Sequence, residues 1–205
     1  MAGSSTRQGS NRKQQILESL ARELESNQGG RITTAGLARA VGVSEAALYR
    51  HFPSKARMFE GLIDFAEDTV FSRVNRVLAE KRDPVARCQL ILGIALGFSA
   101  RNPGITRILL GDALAGEPER LHKRASQYFR RLETQLKQVL REAEAAGQEL
   151  CGMTPEIAAN LMLAVLEGRM RQFVRSGFSL SPLTHWEQQW DGLKLALFVG
   201  NGRSK

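Results

Sequence analysis

Residues Thr33 to His51 read TTAGLARAVGVSEAALYRH, and the fold follows from how their apolar positions are spaced. Leu37, Ala38, Val41, Val43 and Leu48 fall where two short helices, about Thr34–Val41 and Ser44–His51, can cross over one small core. Ala38 is small where the second helix passes close by, and Gly42 supplies the positive φ that a tight inter-helix turn needs. Two helices joined this way form a helix-turn-helix, whose second helix lies in the major groove of DNA. At about 100° per residue, Leu48 points inward and the opposite side shows Ala46 and Arg50, flanked by Glu45 and Tyr49. Arg50 suits guanine edges or phosphate, and Ala46 suits a thymine methyl. Glu45, in the first turn, either meets the DNA or simply satisfies the helix dipole. Thr33 or Thr34 caps the first helix, and a helix N-terminus carrying a hydroxyl is a ready phosphate site. Tyr49, His51 and Lys55 border the groove and read as backbone clamps.

Outward from this segment nearly everything reads as helix. Upstream, Asn11–Glu25 places Ile16, Leu20 and Leu24 on one face, with Leu17 beside them, and Gly29-Gly30 ends it. The Gly/Ser-rich, basic stretch before it reads as a flexible arm without a signal peptide. Downstream, Pro53 stops the second short helix, and Ser54 caps a long one running to about Arg82. Asp83-Pro84 and Thr154-Pro155 are cap-plus-proline signatures for helices ending near Ala100 and Ser176. A short apolar helix from Ile105 to Leu110, a charge-rich one from Gly116 to Gly147 and a last one from Leu183 to Val199 complete the chain. Period-two alternation is not evident, so the expected class is all-α. The expected partition is an arm at 1–10, a helix-turn-helix domain at 11–53, a helical dimerisation and partner-binding domain at 54–200, and a tail at 201–205.

Two helices are apolar on most of their circumference: Ile157–Leu166, and the last helix with Trp186, Trp190, Leu193, Leu197 and Phe198. Such helices must be buried on more than one side, which in a chain this small points to a subunit interface, the alternative being a central core helix.

Composition narrows the function. The 205 residues are 42% hydrophobic and 24% charged, a globular balance. A formal net charge of +8 favours a polyanionic partner. That charge concentrates at the N-terminal end: residues 1–60 carry nine Lys/Arg against five Asp/Glu, and the other 145 carry 20 against 16. The longest uncharged apolar run, Cys88 to Ala100, falls short of the roughly 20 residues a membrane span needs. Cys88 and Cys151 fit neither a metal spacing nor a disulfide framework, so no metal or cofactor is expected and a cytoplasmic setting is the default. His51, His122 and His185 fall in separate elements, and no glycine-rich phosphate loop occurs, so the chain does not read as an enzyme. His122 lies in a basic helix and reads as solvated.

Leu48-Tyr-Arg-His-Phe-Pro-Ser-Lys55, preceded by Val43-Ser and followed by a long helix, resembles the TetR family of dimeric helix-turn-helix repressors. Further stretches look like that family's nucleoid occlusion branch: Arg31-Ile-Thr-Thr-Ala, Arg57-Met-Phe59, Arg101-Asn-Pro-Gly104, Thr106-Arg-Ile-Leu109, Gln138-Val-Leu-Arg141 and Phe173-Val-Arg-Ser176. The resemblance adds Arg31 and Ala47 to the DNA-binding residues. It implies homodimers, several of them gathered on one double-stranded DNA site. While on the chromosome such proteins engage the C-terminal tail of the tubulin-like division protein FtsZ and keep a division ring from assembling over the nucleoid. It implies a location in the cytoplasm on the nucleoid. The positions matching the tail-binding residues are Phe65, Arg73, Ile94, Gly97, Arg101 and Asn102; the branch usually has leucine where Ile94 stands. The residue types suit that task. Phe65, Thr69 and Arg73 recur at i, i+4 and i+8, Gly97 lets a backbone come close, and two arginines suit an acidic, apolar peptide. The alternative is a ligand-responsive TetR-type transcriptional repressor, although the interior candidates Ile91–Phe98 and Leu161–Leu166 offer almost no polar groups to hold an effector.

Overall fold

The computed structural model describes residues 4–27, 32–148 and 150–199. Among them the chain is all-helical: α1 (Ser4–Ser26), α2 (Thr34–Val41), α3 (Glu45–His51), α4 (Lys55–Glu80), α5 (Pro84–Arg101), α6 (Pro103–Leu109), α7 (Glu119–Ala145), α8 (Pro155–Arg175) and α9 (Trp186–Leu197). A 3-10 turn at Asp112–Leu114 sits between α6 and α7. No strand occurs among the described residues; Leu150 and Phe198 form an isolated antiparallel bridge.

The helix starts follow local cap chemistry. Thr33, Ser44 and Thr154 accept the N–H of Gly36, Ala47 and Ile157, and Ser54 and Asp83 accept those of Arg57 and Ala86. Each satisfies a donor that the first helical turn leaves open. Gly42 takes a left-handed φ of 73° and closes the turn between α2 and α3. Several starts differ from the sequence reading, α6 beginning at Pro103 and α7 at Glu119 where Ile105 and Gly116 were expected. The first helix begins at Ser4, not Asn11, so residues 4–10 are helical where an arm was expected; once a helix is nucleated, each added residue gains a hydrogen bond. The last helix begins at Trp186 because His185 adopts φ 58° and interrupts the run from Leu183. The Gly29-Gly30 stop lies outside the described residues.

The chain divides into two compact units, with α4 and α7 each contributing to both. The first comprises the described residues up to Ala66 together with Asn102–Ala125. Its centre is α1, which packs on α2, α3 and α6 and buries Ile16, Leu20 and Leu24 as their spacing requires. Full burial of each such side chain stabilises by about 1.5–3 kcal/mol. Leu37, Ala38 and Leu48 close the small core of the helix-turn-helix. Against α1, α6 comes so near that a Cβ on Gly104 would stand 2.2 Å from the Ala21 carbonyl oxygen. Buried Arg107 completes the joint: its Nη1 donates to the carbonyls of Leu24 (2.7 Å) and Asn27 (3.0 Å), and its Nε donates to Asp112 (3.1 Å). The carbonyls left open at the end of α1 are thus capped by a cation, which also suits the helix dipole.

The second unit comprises Glu67–Arg101 and the described residues from Ser126 onward. Here α5 packs on α8, and Phe71 meets Tyr128 edge-on at 5.7 Å between ring centroids. Buried Arg87 repeats the capping device, donating to the carbonyls of Leu78 in the last turn of α4 and Lys81 just beyond it, and pairing with Glu142 of α7 at 2.8 Å. The tryptophans of α9, Trp186 and Trp190, are both buried.

Candidate nucleic-acid and partner interface

The outer side of α3 is built as its spacing implies. Leu48 is fully buried, which turns Glu45, Ala46, Tyr49 and Arg50 to solvent, with Ala47 and His51 half-buried at the margins. Tyr49 keeps 42% of its surface exposed, uncommon for an aromatic side chain in a small module and suited to packing on a sugar-phosphate backbone. Thr33 uses its hydroxyl oxygen as the α2 cap, accepting from the Gly36 N–H at 3.1 Å. The hydroxyl keeps a proton to donate, so the same helix end suits an acceptor such as a phosphate oxygen. Thr34 instead donates to the Glu45 carboxylate at 2.9 Å, tying the start of α2 to the start of α3. Glu45 is therefore a brace between the two helices.

Lys55 is engaged as well. Its ammonium lies 2.6 Å from Glu117 and 5.4 Å from the centroid of the Phe59 ring. A phosphate reaching Lys55 competes with a half-buried carboxylate, a restraint invisible in the sequence because 62 positions separate the partners. Arg31 lies outside the described residues.

Of the residues matched to partner binding, Phe65 and Asn102 belong to the first unit, and Arg73, Ile94, Gly97 and Arg101 belong to the second. Phe65 is 42% exposed and so does not read as a core phenylalanine. Arg73 and Arg101 are exposed, and neither forms an ion pair among the described residues. Ile94 is half-buried, and Asn102 supplies the carbonyl that accepts both the N–H and the hydroxyl of Thr106 at the start of α6. Gly97 is buried beneath the Arg101 guanidinium: a Cβ there would stand 3.5 Å from Nη1, ordinary contact distance. The glycine thus seats an arginine of its own helix.

Burial is the main cause that pushes the Cys88 thiol up to about 12, so it stays protonated at neutral pH. His122 is exposed, with its Nε2 3.1 Å from the Leu114 carbonyl oxygen. Among the described residues no group of three or more His, Cys, Asp or Glu is placed to hold a metal ion. No described helix is long and apolar enough to cross a membrane.

A three-helix helix-turn-helix unit at the N-terminal end and a further helical unit define a TetR-type regulator. Residues 16–62 match the model of the bacterial regulatory proteins of the tetR family, and residues 82–197 match the SlmA-like tetracyclin repressor-like C-terminal domain. The fold is shared with the MbdR regulator of Azoarcus sp. CIB, at a TM-score of 0.78 and 18% identity over 92% of this chain and all of that one. A TetR transcription regulator of Haloarcula marismortui gives 0.76 and 21% over 93% of this chain and 100% of that chain. Relatives named nucleoid occlusion factor SlmA are far closer in sequence. That of Alteromonas mediterranea is 55% identical over 184 residues, 90% of this chain and 94% of its own. That of Shewanella baltica is 57% identical over 180 residues, 88% and 91%. The chain belongs to the SlmA family of nucleoid occlusion factors.

Proposed function

We propose that this protein is a sequence-specific DNA-binding nucleoid occlusion factor that, on its chromosomal sites, binds the C-terminal tail of FtsZ and inhibits assembly of the division ring. The observation that carries the reading is the 55–57% identity to nucleoid occlusion factors across about nine-tenths of the chain. Residues 11–53 are its DNA-reading part, with Arg50 and Ala46 toward base edges and Thr33, Tyr49 and His51 toward the backbone. Residues 54–200 dimerise and hold the partner. Apolar surface supports a homodimer through α8 and α9, since Ile157 is 57% and Leu195 74% exposed in the single chain. Several dimers gather on one DNA site, and the protein resides in the cytoplasm on the nucleoid.

For the tail, the exposed cations Arg73 and Arg101 meet acidic side chains, and Phe65 and Ile94 meet apolar ones. Fluorescence anisotropy of a labelled FtsZ C-terminal peptide tests this, with wild type and Arg101→Asp, with and without a duplex selected for tight binding. Saturable binding that DNA strengthens and the substitution abolishes supports the reading. Absence of binding in both conditions refutes it and leaves the ligand-responsive repressor, for which a metabolite alters DNA affinity instead.

A further inference from the structure

The loop between α8 and α9 encloses a cavity of about 120 Å³ in the second unit, close to the engineered cavities of about 150 Å³ that bind benzene-sized molecules. Its wall combines polar side chains, Arg169 and Gln172 of α8, Ser181, Thr184 and His185 of the loop and Gln189 of α9, with the apolar Leu180 and Pro182. No aspartate or glutamate lines it.

Arg169 is the centre of the arrangement. It is only 8% exposed, and among the described residues its partners are all uncharged. Nε donates to the Pro182 carbonyl at 2.7 Å, Nη2 to the Thr184 carbonyl and Nη1 to the Gln189 side-chain oxygen. The Trp186 ring lies 5.7 Å away. Burial pulls the guanidinium below its ordinary pKa, the mark of a desolvated charge. The other two buried arginines each have a carboxylate, Glu142 for Arg87 and Asp112 for Arg107. Arg169 has none, and the guanidinium keeps further N–H donors beyond these three bonds.

The start of α9 borders the same pocket through His185 and Gln189. His185 occupies its N-cap position without a side-chain cap bond, and the Leu183 carbonyl accepts the Trp186 N–H instead. Glu187, the acid of that turn, is bonded to Gln89 at 2.8 Å and does not line the cavity. A buried cation without a carboxylate thus borders a pocket that no acidic side chain lines.

We propose that this cavity is a binding site for a small free oxyanion, a carboxylate or phosphate compound held by Arg169 with the polar side chains of Gln172, Ser181 and Thr184. The site is separate from both the DNA-reading and the tail-binding residues, and it does not depend on the function proposed above. Its position at the base of α9, one of the helices assigned to the dimer interface, makes it a point at which a metabolite can bias assembly.

The chain's two tryptophans, Trp186 and Trp190, both lie on α9, so intrinsic fluorescence reports on this region alone. The full-length protein is titrated with inorganic phosphate and, separately, with citrate, at constant ionic strength maintained with chloride. A saturable emission change with either anion is expected. Gln172→Glu, on the exposed side of α8, adds a negative charge at the cavity wall without disturbing the core and is expected to weaken the midpoint at least about tenfold. Arg76→Asp, at an exposed position of α4, is expected to leave it unchanged. Circular dichroism verifies that both variants stay folded. An unsaturable response, or an equal one in Gln172→Glu, overturns the assignment. So does emission that varies with protein concentration and ignores added anion, which would mean that a second copy of the chain supplies the carboxylate.

Discussion

Replacing Gly104 by alanine tests the joint between α1 and α6, on which the helix-turn-helix is seated. The added Cβ would stand 2.2 Å from the Ala21 carbonyl oxygen and 2.9 Å from the Leu24 Cβ, both inside the 3.0 Å that such contacts essentially never breach. Backbone cannot yield as a flexible side chain can, so α6 must retreat by about 1 Å in a close-packed interior. That retreat stretches the Arg107 bonds to Leu24 and Asn27, now 2.7 and 3.0 Å, toward the distance at which hydrogen bonds fail. Overpacking costs about 1–3 kcal/mol, and weakening a hydrogen bond to a charged group about 1.5–3. Removing a helical glycine returns about 0.5–1 kcal/mol. The net loss is about 3 kcal/mol, or a fall of ~1–2 M in urea midpoint for a typical slope. Gly93→Ala is the control, since its Cβ would meet Trp186 at an ordinary 3.7 Å. Both are measured by urea denaturation at one fixed protein concentration, followed by far-UV circular dichroism. A Gly104→Ala midpoint within about 1 kcal/mol of wild type refutes the reasoning, because a joint that tight cannot absorb a methyl group so cheaply.

Other consequences follow from single contacts. Arg50→Ala removes an exposed side chain and is expected to abolish specific DNA binding in mobility-shift assays with stability changed by less than about 0.5 kcal/mol; Thr33→Ala is expected to weaken binding similarly while costing about 1 kcal/mol as a lost cap. Glu117→Gln releases Lys55 from its 2.6 Å ion pair and is expected to tighten DNA binding and steepen the salt dependence of log K by up to about 0.9. For Glu60, burial pushes the pKa up, but hydrogen bonds from Arg120 and Arg57 outweigh it and hold the carboxyl below its usual range. Its stabilising contribution is therefore present above the ordinary glutamate value of about 4.3 and is lost as pH falls through the lower folded value. Glu60→Gln should flatten the acid limb of a stability-versus-pH profile below about pH 4.5 while leaving its neutral-pH shape unchanged.

The features legible in the sequence are those governed by neighbours a few residues away. Thr33, Ser44, Ser54, Asp83 and Thr154 announce helix starts because a cap bond is made within three positions. Gly42 is legible because its φ follows from the length of the turn alone. The outward set on α3 follows from one inward residue, Leu48. Contacts between distant positions stayed hidden. Arg87, Arg107 and Arg169 look like solvated charges in a basic chain, yet each is buried on backbone carbonyls, and a carbonyl has no residue type to betray it. Likewise, Gly104 reads as a helix breaker after Pro103 until the nearness of Ala21 explains it. The late start of α9 turns on His185 holding a left-handed φ, a conformation its residue type seldom takes.

The central claim is that DNA and FtsZ act through one protein with separable sites. FtsZ assembly followed by light scattering, with this protein present and a tight-binding duplex added or withheld, tests it most directly. The account predicts inhibition only when protein and duplex are both present, lost in Arg50→Ala through DNA and in Arg101→Asp through the tail. Equal inhibition without DNA, or full inhibition by Arg101→Asp, would contradict it.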